Sequence, residues 1–190
     1  MKKIATIMLT VILSSVLFFS GCSSSSDKNE PLPEAPSSSS EDLAALPSDT
    51  EQDTEPVSPE FELFTKNMEE NMQAFADTTE ERGGTLSFST SATTWTVIQR
   101  LPLPLDSIKD QYLKGDEEIE LSLFSLFLSL QSMSADAYTD MESNGFADKT
   151  AHFEFRTVED DTLVFSSTIS KNDVSYFNIM DLWNEEKDAA

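Results

Sequence analysis

Apolar residues recur at three- and four-residue steps in two long stretches, which is the spacing of one helix face. The first covers residues 61–75 and follows Ser58 and Pro59, a favoured N-cap and a favoured first helical residue. It should end near Gly83, because glycine readily takes the left-handed conformation that ends a helix. The second stretch predicts a helix from about Glu117 to Ser143, with a shorter helical turn at 106–113 before it.

The second predicted helix carries more apolar side chains than one face needs. Its main face begins at Ile119 and continues through Leu123, and Phe124, Phe127 and Leu128 widen it. Leucine and phenylalanine are most often buried in folded domains. We therefore expect this helix to be the largest contributor to the core.

Four shorter stretches alternate apolar and polar residues, which is the period of a β-strand. Two lie between the helices and two follow the second helix, with turns near Ser91 and at 159–161. Each couple is therefore predicted to form a hairpin. The four stretches are centred on residues 86–88, 95–97, 151–155 and 163–169.

The element order is helix, two strands, helix, two strands. It predicts an α+β domain of two layers, α-β-β-α-β-β, with helices packed on one face of an antiparallel sheet. The domain is assigned to residues 59–190. Its tail, 171–190, contains Tyr176, Phe177 and Trp183, so it either docks on the domain or presents an apolar surface.

The amino terminus has the pattern of an export signal. Lys2 and Lys3 precede an apolar run over residues 4–19, which is shorter than the about 20 residues a membrane span requires. Small residues follow it at Ser20 and Gly21. We predict that residues 1–21 form a cleaved signal peptide.

The end of this run resembles the bacterial lipobox, through Phe18, Phe19, Ser20, Gly21 and Cys22. The resemblance implies cleavage between Gly21 and Cys22 and lipidation of the Cys22 thiol. The chain would then be anchored in the cell membrane on its extracytoplasmic face. Since Cys22 is the only cysteine, a disulfide within one molecule is excluded.

Residues 22–58 are predicted to form a disordered, acidic, Ser- and Pro-rich tether. Nine acidic residues and one basic residue occur there, with few large apolar residues to offset the loss of chain entropy. Removal of residues 1–21 takes away Lys2 and Lys3 and changes the formal net charge from −23 to −25. Such a chain is not expected to bind nucleic acid, which requires Lys and Arg at the phosphates.

The helix and strand order, behind the lipobox and the acidic tether, resembles an uncharacterised domain family of secreted Gram-positive lipoproteins. The resemblance covers about residues 61–170, through the first amphipathic helix, the long second helix and the closing hairpin. It implies a fold and an extracytoplasmic location. It implies no activity.

Chemistry-bearing motifs are few. His152 is the only histidine, which excludes Cys/His zinc sites and makes a catalytic triad depend on one residue of a strand's polar face. We interpret His152 as a surface residue and predict no catalytic, cofactor-binding or metal-binding residue. Calcium at the acidic turn 159–161 is a minor alternative, because that turn lacks the spaced pattern of a known calcium loop.

Three functional hypotheses remain open from the sequence. The first is a non-enzymatic interaction module of the cell envelope, with an envelope protein or ligand as the unknown partner. The second is a cell-wall hydrolase, which needs two carboxylates that converge in a cleft. The third is a receptor for a lipid or small molecule in the Phe- and Leu-rich space between helix and sheet.

Overall fold

The computed structural model describes residues 56–189. The predicted signal peptide, the predicted lipidation and cleavage residues Cys22 and Gly21, and the tether up to residue 55 lie outside the described residues. Of the predicted domain, 59–190, every residue except Ala190 is described.

Five helices and five strands occur in the described part of the chain. The helices are α1 (Pro59–Asn71), α2 (Gln73–Glu81), α3 (Leu105–Leu113), α4 (Glu117–Ser143) and α5 (Ile179–Ala189). The strands are β1 (Thr85–Thr90), β2 (Thr94–Leu101), β3 (Thr150–Thr157), β4 (Leu163–Ile169) and β5 (Val174–Asn178). They form one sheet in the chain order β1-β2-β3-β4-β5.

The α+β class and the packing of helices on the sheet are confirmed. The predicted hairpins, β1 with β2 and β3 with β4, are both antiparallel. The sheet as a whole is mixed, because β2 and β3 at its centre are parallel. The connection through α3 and α4 returns the chain to the starting end of the sheet, which a parallel pair requires.

Ser58 and Gly83, which the sequence predicted at helix ends, lie at the start of α1 and just after α2. The Ser58 hydroxyl accepts a hydrogen bond from the Phe61 N–H at 3.2 Å, and Asp116 caps α4 in the same way. Gly83 follows α2 with a φ of +81°. A side chain at Gly84 would lie 2.5 Å from the carbonyl oxygen of Arg100, so glycine lets α2 approach β2.

The tail docks on the domain. It adds β5 to the sheet, antiparallel to β4, and continues directly into α5. Trp183 of α5 is buried against Tyr112 of α3, whose hydroxyl donates to Asn184 at 2.8 Å. The tail therefore belongs to the folded domain.

The core lies between the helices and one face of the sheet. Along β2 and β3 every second residue is buried, including Trp95, Val97, Phe153 and Phe155. The helices cover this face with fully buried residues such as Leu123 of α4. The alternate residues of the same strands lie on the opposite face, which is polar and only half-buried. Within residues 56–189, no further element covers this sheet face, which we call the open face, or the outer sides of the helices.

Candidate interaction surfaces

A polar network occupies the open face of the sheet. It is built by three alternate residues of the central strand β3, His152, Glu154 and Arg156, because a strand points every second side chain to the same side. Glu154 lies in the middle with 12% of its side chain exposed. A buried carboxylate needs partners, and both neighbours supply them.

The hydrogen bonds fix the two groups that flank Glu154. Arg156 donates from Nε to Oε2 of Glu154 at 2.6 Å, and His152 Nε2 lies 3.0 Å from Oε1. His152 Nδ1 lies 2.7 Å from the hydroxyl of Thr168 on β4. A neutral imidazole with its proton on Nε2 donates to Glu154 and accepts from Thr168, so this tautomer fits both contacts.

The network keeps Glu154 ionised. Hydrogen bonds from His152 and then Arg156, with the positive charge of Arg156, lower the pKa of Glu154 from 4.5 to about 2, although burial acts in the opposite direction. A general acid needs the reverse, a pKa raised towards neutrality. Glu154 therefore serves as a fixed anion between two donors.

The acidic turn 159–161 is tied into the same face. Arg100 of β2 donates to Asp161 at 2.7 Å, and Arg156 lies 3.4 Å from the other carboxylate oxygen. The Asp160 carboxylate accepts from the Thr157 hydroxyl and the Thr162 N–H, and these bonds lower its pKa. Both aspartates are thus engaged by the protein. No cluster of three or more potential metal ligands occurs among residues 56–189, so the geometry lends the calcium alternative no support.

The space that the sequence suggested for a ligand lies between the helices and the sheet. A hollow between the helices and the sheet is bounded by side chains including Met72, Phe75, Val97, Met133 and Phe153, and it does not admit a water molecule. A lipid or small molecule would have to open the core at this place. The structure therefore gives the receptor hypothesis no preformed cavity there.

The outer face of α4 carries large apolar side chains that the core does not cover. Leu121, Phe124 and Leu128 are 66%, 49% and 46% exposed. Their three- and four-residue steps align them along the helix over about 10 Å. We call these three residues the apolar stripe. The expectation that Phe124 and Leu128 belong to the core is wrong, because the opposite face of α4 already fills the space above the sheet.

The apolar stripe adjoins the edge of the sheet. Phe127 of α4 contacts Phe165 of β4 and Tyr176 of β5, with ring centroids 5.5 and 6.0 Å apart. Tyr176 and Val174, both on β5, are exposed. Since β5 is the last strand of the sheet among residues 56–189, this apolar surface continues to the outer edge of the described sheet.

Acidic residues flank the apolar stripe, and α4 contains no basic residue. Glu117 lies one turn before Leu121 on the same side of the helix. Glu142 follows Phe124 by 18 residues, about five full turns, and so returns to the same side. Both glutamates are exposed. The six acidic residues of α4 are Glu117, Glu118, Glu120, Asp136, Asp140 and Glu142.

The sequence contained a signal for this surface. The spacing of Leu121, Phe124 and Leu128 is itself helical and lies opposite the main face that begins at Ile119. A helix with apolar residues on two opposite sides is either enclosed or exposes one of them. Only the packing of α4 against β3 and β4 decides which side is buried.

Comparisons with protein families, with functionally described proteins and with solved structures find no match for this chain. Within residues 56–189, none of the helices is long and apolar enough to cross a membrane.

Proposed function

We propose that this chain is a lipid-anchored interaction module on the extracytoplasmic face of the cell membrane and that it acts without catalysis. The observation that carries the proposal is the apolar stripe of α4. Three large apolar side chains aligned along α4 are exposed although the domain has a separate buried core. Exposed apolar patches of this kind mark sites of association. The lipobox-like sequence at Cys22 supports the membrane location.

The carboxylates of the polar network do not favour a hydrolase. Retaining and inverting glycosidases use a carboxylic acid and a second carboxylate about 5 to 9.5 Å away, and the acid has a raised pKa. The pKa of Glu154 is lowered instead, and the pKa of Asp160 and of Asp148 is lowered by hydrogen bonds to Thr157 and Lys149 respectively. These carboxylates are suited to structural contacts. Hydrolysis of wall polymers therefore stays an alternative without a favouring observation.

Cross-linking in living cells tests the proposal. The full chain and its Cys22→Ala variant would be produced in a bacterial host, fractionated and cross-linked, with mass spectrometry of the products. We expect the wild type in the membrane fraction with acyl chains on Cys22 and a specific envelope partner. The variant should carry no acyl chains and keep residues 1–21, and a second chain with residues 1–22 replaced by the signal peptide of a secreted protein should be released from the membrane with that partner lost. Absence of acyl chains from wild-type Cys22 would contradict the anchor.

A separate assay addresses catalysis. The purified full chain would be incubated with isolated cell-wall polymer, and soluble products would be measured. We expect no turnover above that of a heat-denatured sample. Turnover that a single substitution such as Glu154→Gln abolishes, in a variant that remains folded, would overturn the non-enzymatic proposal.

A further inference from the structure

We infer that the apolar stripe of α4 binds a cationic amphipathic helix, a partner segment with Lys or Arg on both sides of an apolar face. The inference deepens the proposed function, on which it rests, because it specifies the chemistry of the partner. It depends on the shape of the surface, on the state of its polar groups and on its charge.

The shape fits a helix laid along α4. The large side chains Leu121, Phe124 and Leu128 form a ridge, with the small residue Ser125 beside it and Ser132 one turn beyond Leu128. Ridges of this kind fit the grooves of a second helix at an interaxial distance of about 8–10 Å. Phe127 follows Phe124 by three residues on the helix and contacts Tyr176, so these two side chains extend the apolar area to one side of the ridge.

Covering this surface leaves few polar groups without partners. The Ser125 hydroxyl donates to the carbonyl of Leu121 at 2.8 Å, and the Ser129 hydroxyl donates to the carbonyl of Ser125 at 2.9 Å. A hydroxyl that is already hydrogen-bonded costs less to bury than one that loses water without replacement. The serines beside the ridge are therefore compatible with a desolvated interface.

Charge selects the partner. Glu117 and Glu142 lie beyond the two ends of the apolar stripe on the same side of α4, and Glu120 lies beside it. No base of α4 balances them. A partner with Lys or Arg near both ends of its apolar face, and beside it, would place opposite charges at these positions, which favours encounter and fixes the register.

The same charges exclude the other occupants. The chain's own tether has nine acidic residues and one basic residue, so it is repelled by the acids around the apolar stripe. A second copy would place two acidic α4 helices face to face, each on a domain with 26 acidic and nine basic residues. An anionic lipid surface is repelled in the same way. A cationic helix alone combines apolar contact with attraction.

A binding assay on the whole protein tests the inference. The full chain, as recovered from the producing cells, would be placed in phosphatidylcholine nanodiscs with a fluorescent 28-residue Leu/Lys peptide that forms an amphipathic helix with Lys near both ends. This length is needed because Glu117 and Glu142 are about 38 Å apart along α4. The peptide's affinity would be measured by anisotropy at low and high salt. The decisive variant is Leu121→Ser/Phe124→Ser/Leu128→Ser, and the matched control is Leu63→Ser/Val158→Ser, which also removes exposed apolar side chains. Because every sample contains the same lipid, peptide bound to lipid is equal among them.

We expect the triple variant to bind the peptide at least about tenfold more weakly than wild type, and the control to bind like wild type. Glu117→Gln/Glu142→Gln should weaken binding about threefold and reduce its salt dependence. A peptide with Glu in place of Lys should not bind. Equal affinities of wild type and triple variant would overturn the inference, as would a wild-type dimer that the triple variant dissociates in sedimentation.

The two proposals fail in different ways. A photo-reactive amino acid at position 124, in cells, reports any partner at the apolar stripe, whatever its charge. If a partner is captured in cells but the peptide does not bind in nanodiscs, the interaction module is supported and the cationic helix is refuted. If the peptide binds through the apolar stripe but the chain is not lipidated, the cationic helix is supported and the membrane anchor is refuted.

Discussion

Arg100 and Arg156 lie directly opposite each other on the parallel strands β2 and β3, and both guanidinium groups reach the carboxylate of Asp161. Two like charges side by side on a sheet repel each other, so the shared anion offsets that repulsion. Asp161 reaches this position from a turn in which its own φ is 57°, in the left-handed region. The central pair of strands, the turn and the open face are therefore connected through one carboxylate.

Removal of that carboxylate's charge should destabilise the fold slightly. We expect Asp161→Asn, which tolerates the left-handed backbone, to lower the free energy of unfolding by about 1 kcal/mol, since the three side chains are partly exposed. Urea unfolding at low salt measures this, and high salt should shrink the difference. Asp161→Gly, which removes the strain of the positive φ, should lower the free energy of unfolding by less than Asp161→Asn does. Equal stability of Asp161→Asn and wild type at low salt would contradict the role of the charge.

The stability of the domain should depend on pH through Glu154. Its folded pKa, about 2, lies below the ordinary 4.5, so the ionised carboxylate stabilises the fold above pH 4.5 and loses this contribution as the pH falls towards 2. We expect Glu154→Gln to lower the free energy of unfolding on the order of 2 kcal/mol at pH 7. In denaturant titrations the gap between the two proteins should narrow from pH 4.5 downwards. A gap of constant size across this range would contradict the assignment.

A buried hydroxyl pair joins α4 to the sheet and should respond unequally to its two deletions. The Oγ atoms of Ser134 and Ser167 are 2.5 Å apart, and Ser134 Oγ also lies 3.0 Å from the carbonyl of Gln131. With Ser134 donating to that carbonyl, Ser167 must donate to Ser134. Ser134→Ala then leaves Ser167 buried without a partner and should cost about 1–3 kcal/mol in unfolding free energy.

The reverse deletion should cost less. Ser167→Ala leaves Ser134 bonded to Gln131, so we expect a loss of at most about 1 kcal/mol. The double variant should be no less stable than Ser134→Ala alone, because nothing further is left unpaired. Chemical denaturation of the wild type, the two single variants and the double variant gives a double-mutant cycle. If the losses of unfolding free energy in the two single variants add up to the loss in the double variant, this hydrogen-bond order is refuted.

Trp95 should tolerate loss of its indole nitrogen. This side chain is fully buried between Phe88 and Phe153, and its Nε1 has no hydrogen-bond partner among residues 56–189. Trp95→Phe creates a small cavity but removes a buried donor that costs about 1–3 kcal/mol, so the net change should stay within about 1 kcal/mol. Trp95→Ala should cost about 3–5 kcal/mol. Thermal unfolding measures both variants. A Trp95→Phe variant that loses as much stability as Trp95→Ala would show that burial of the unpartnered Nε1 does not destabilise the wild type.

Local patterns predicted most elements because the preferences that form them are local. The bounds of α4, from Glu117 to Ser143, follow from its apolar period, its Asp116 cap and the glycine at Gly145. The alternation in β1, β2 and β3 is the burial alternation of a sheet with one covered face, and β4 follows it from Phe165 onwards. The single predicted first helix divides into α1 and α2 at Met72, which no composition signal marks.

The strand β5 and the helix α5 were not predicted as elements, although the apolar character of their residues was noted. β5 is only five residues long and gains its ladder from β4, so its conformation depends on a neighbour rather than on its own pattern. The parallel pairing of β2 and β3 was missed for a related reason. Two hairpins suggest an antiparallel sheet, while the direction of their junction depends on how α3 and α4 cross the sheet.

The sequence by itself determined the class of the domain and most of its helices and strands, and it predicts a signal peptide, lipidation at Cys22 and an acidic tether at the amino terminus. These follow from composition and short-range periodicity. Only the tertiary structure decided which side of α4 is buried, that Leu121, Phe124 and Leu128 remain exposed, and that Asp161 joins two arginines from different strands. Periodicity defines a face of an element, whereas burial and ion pairing depend on what the rest of the chain places against that face.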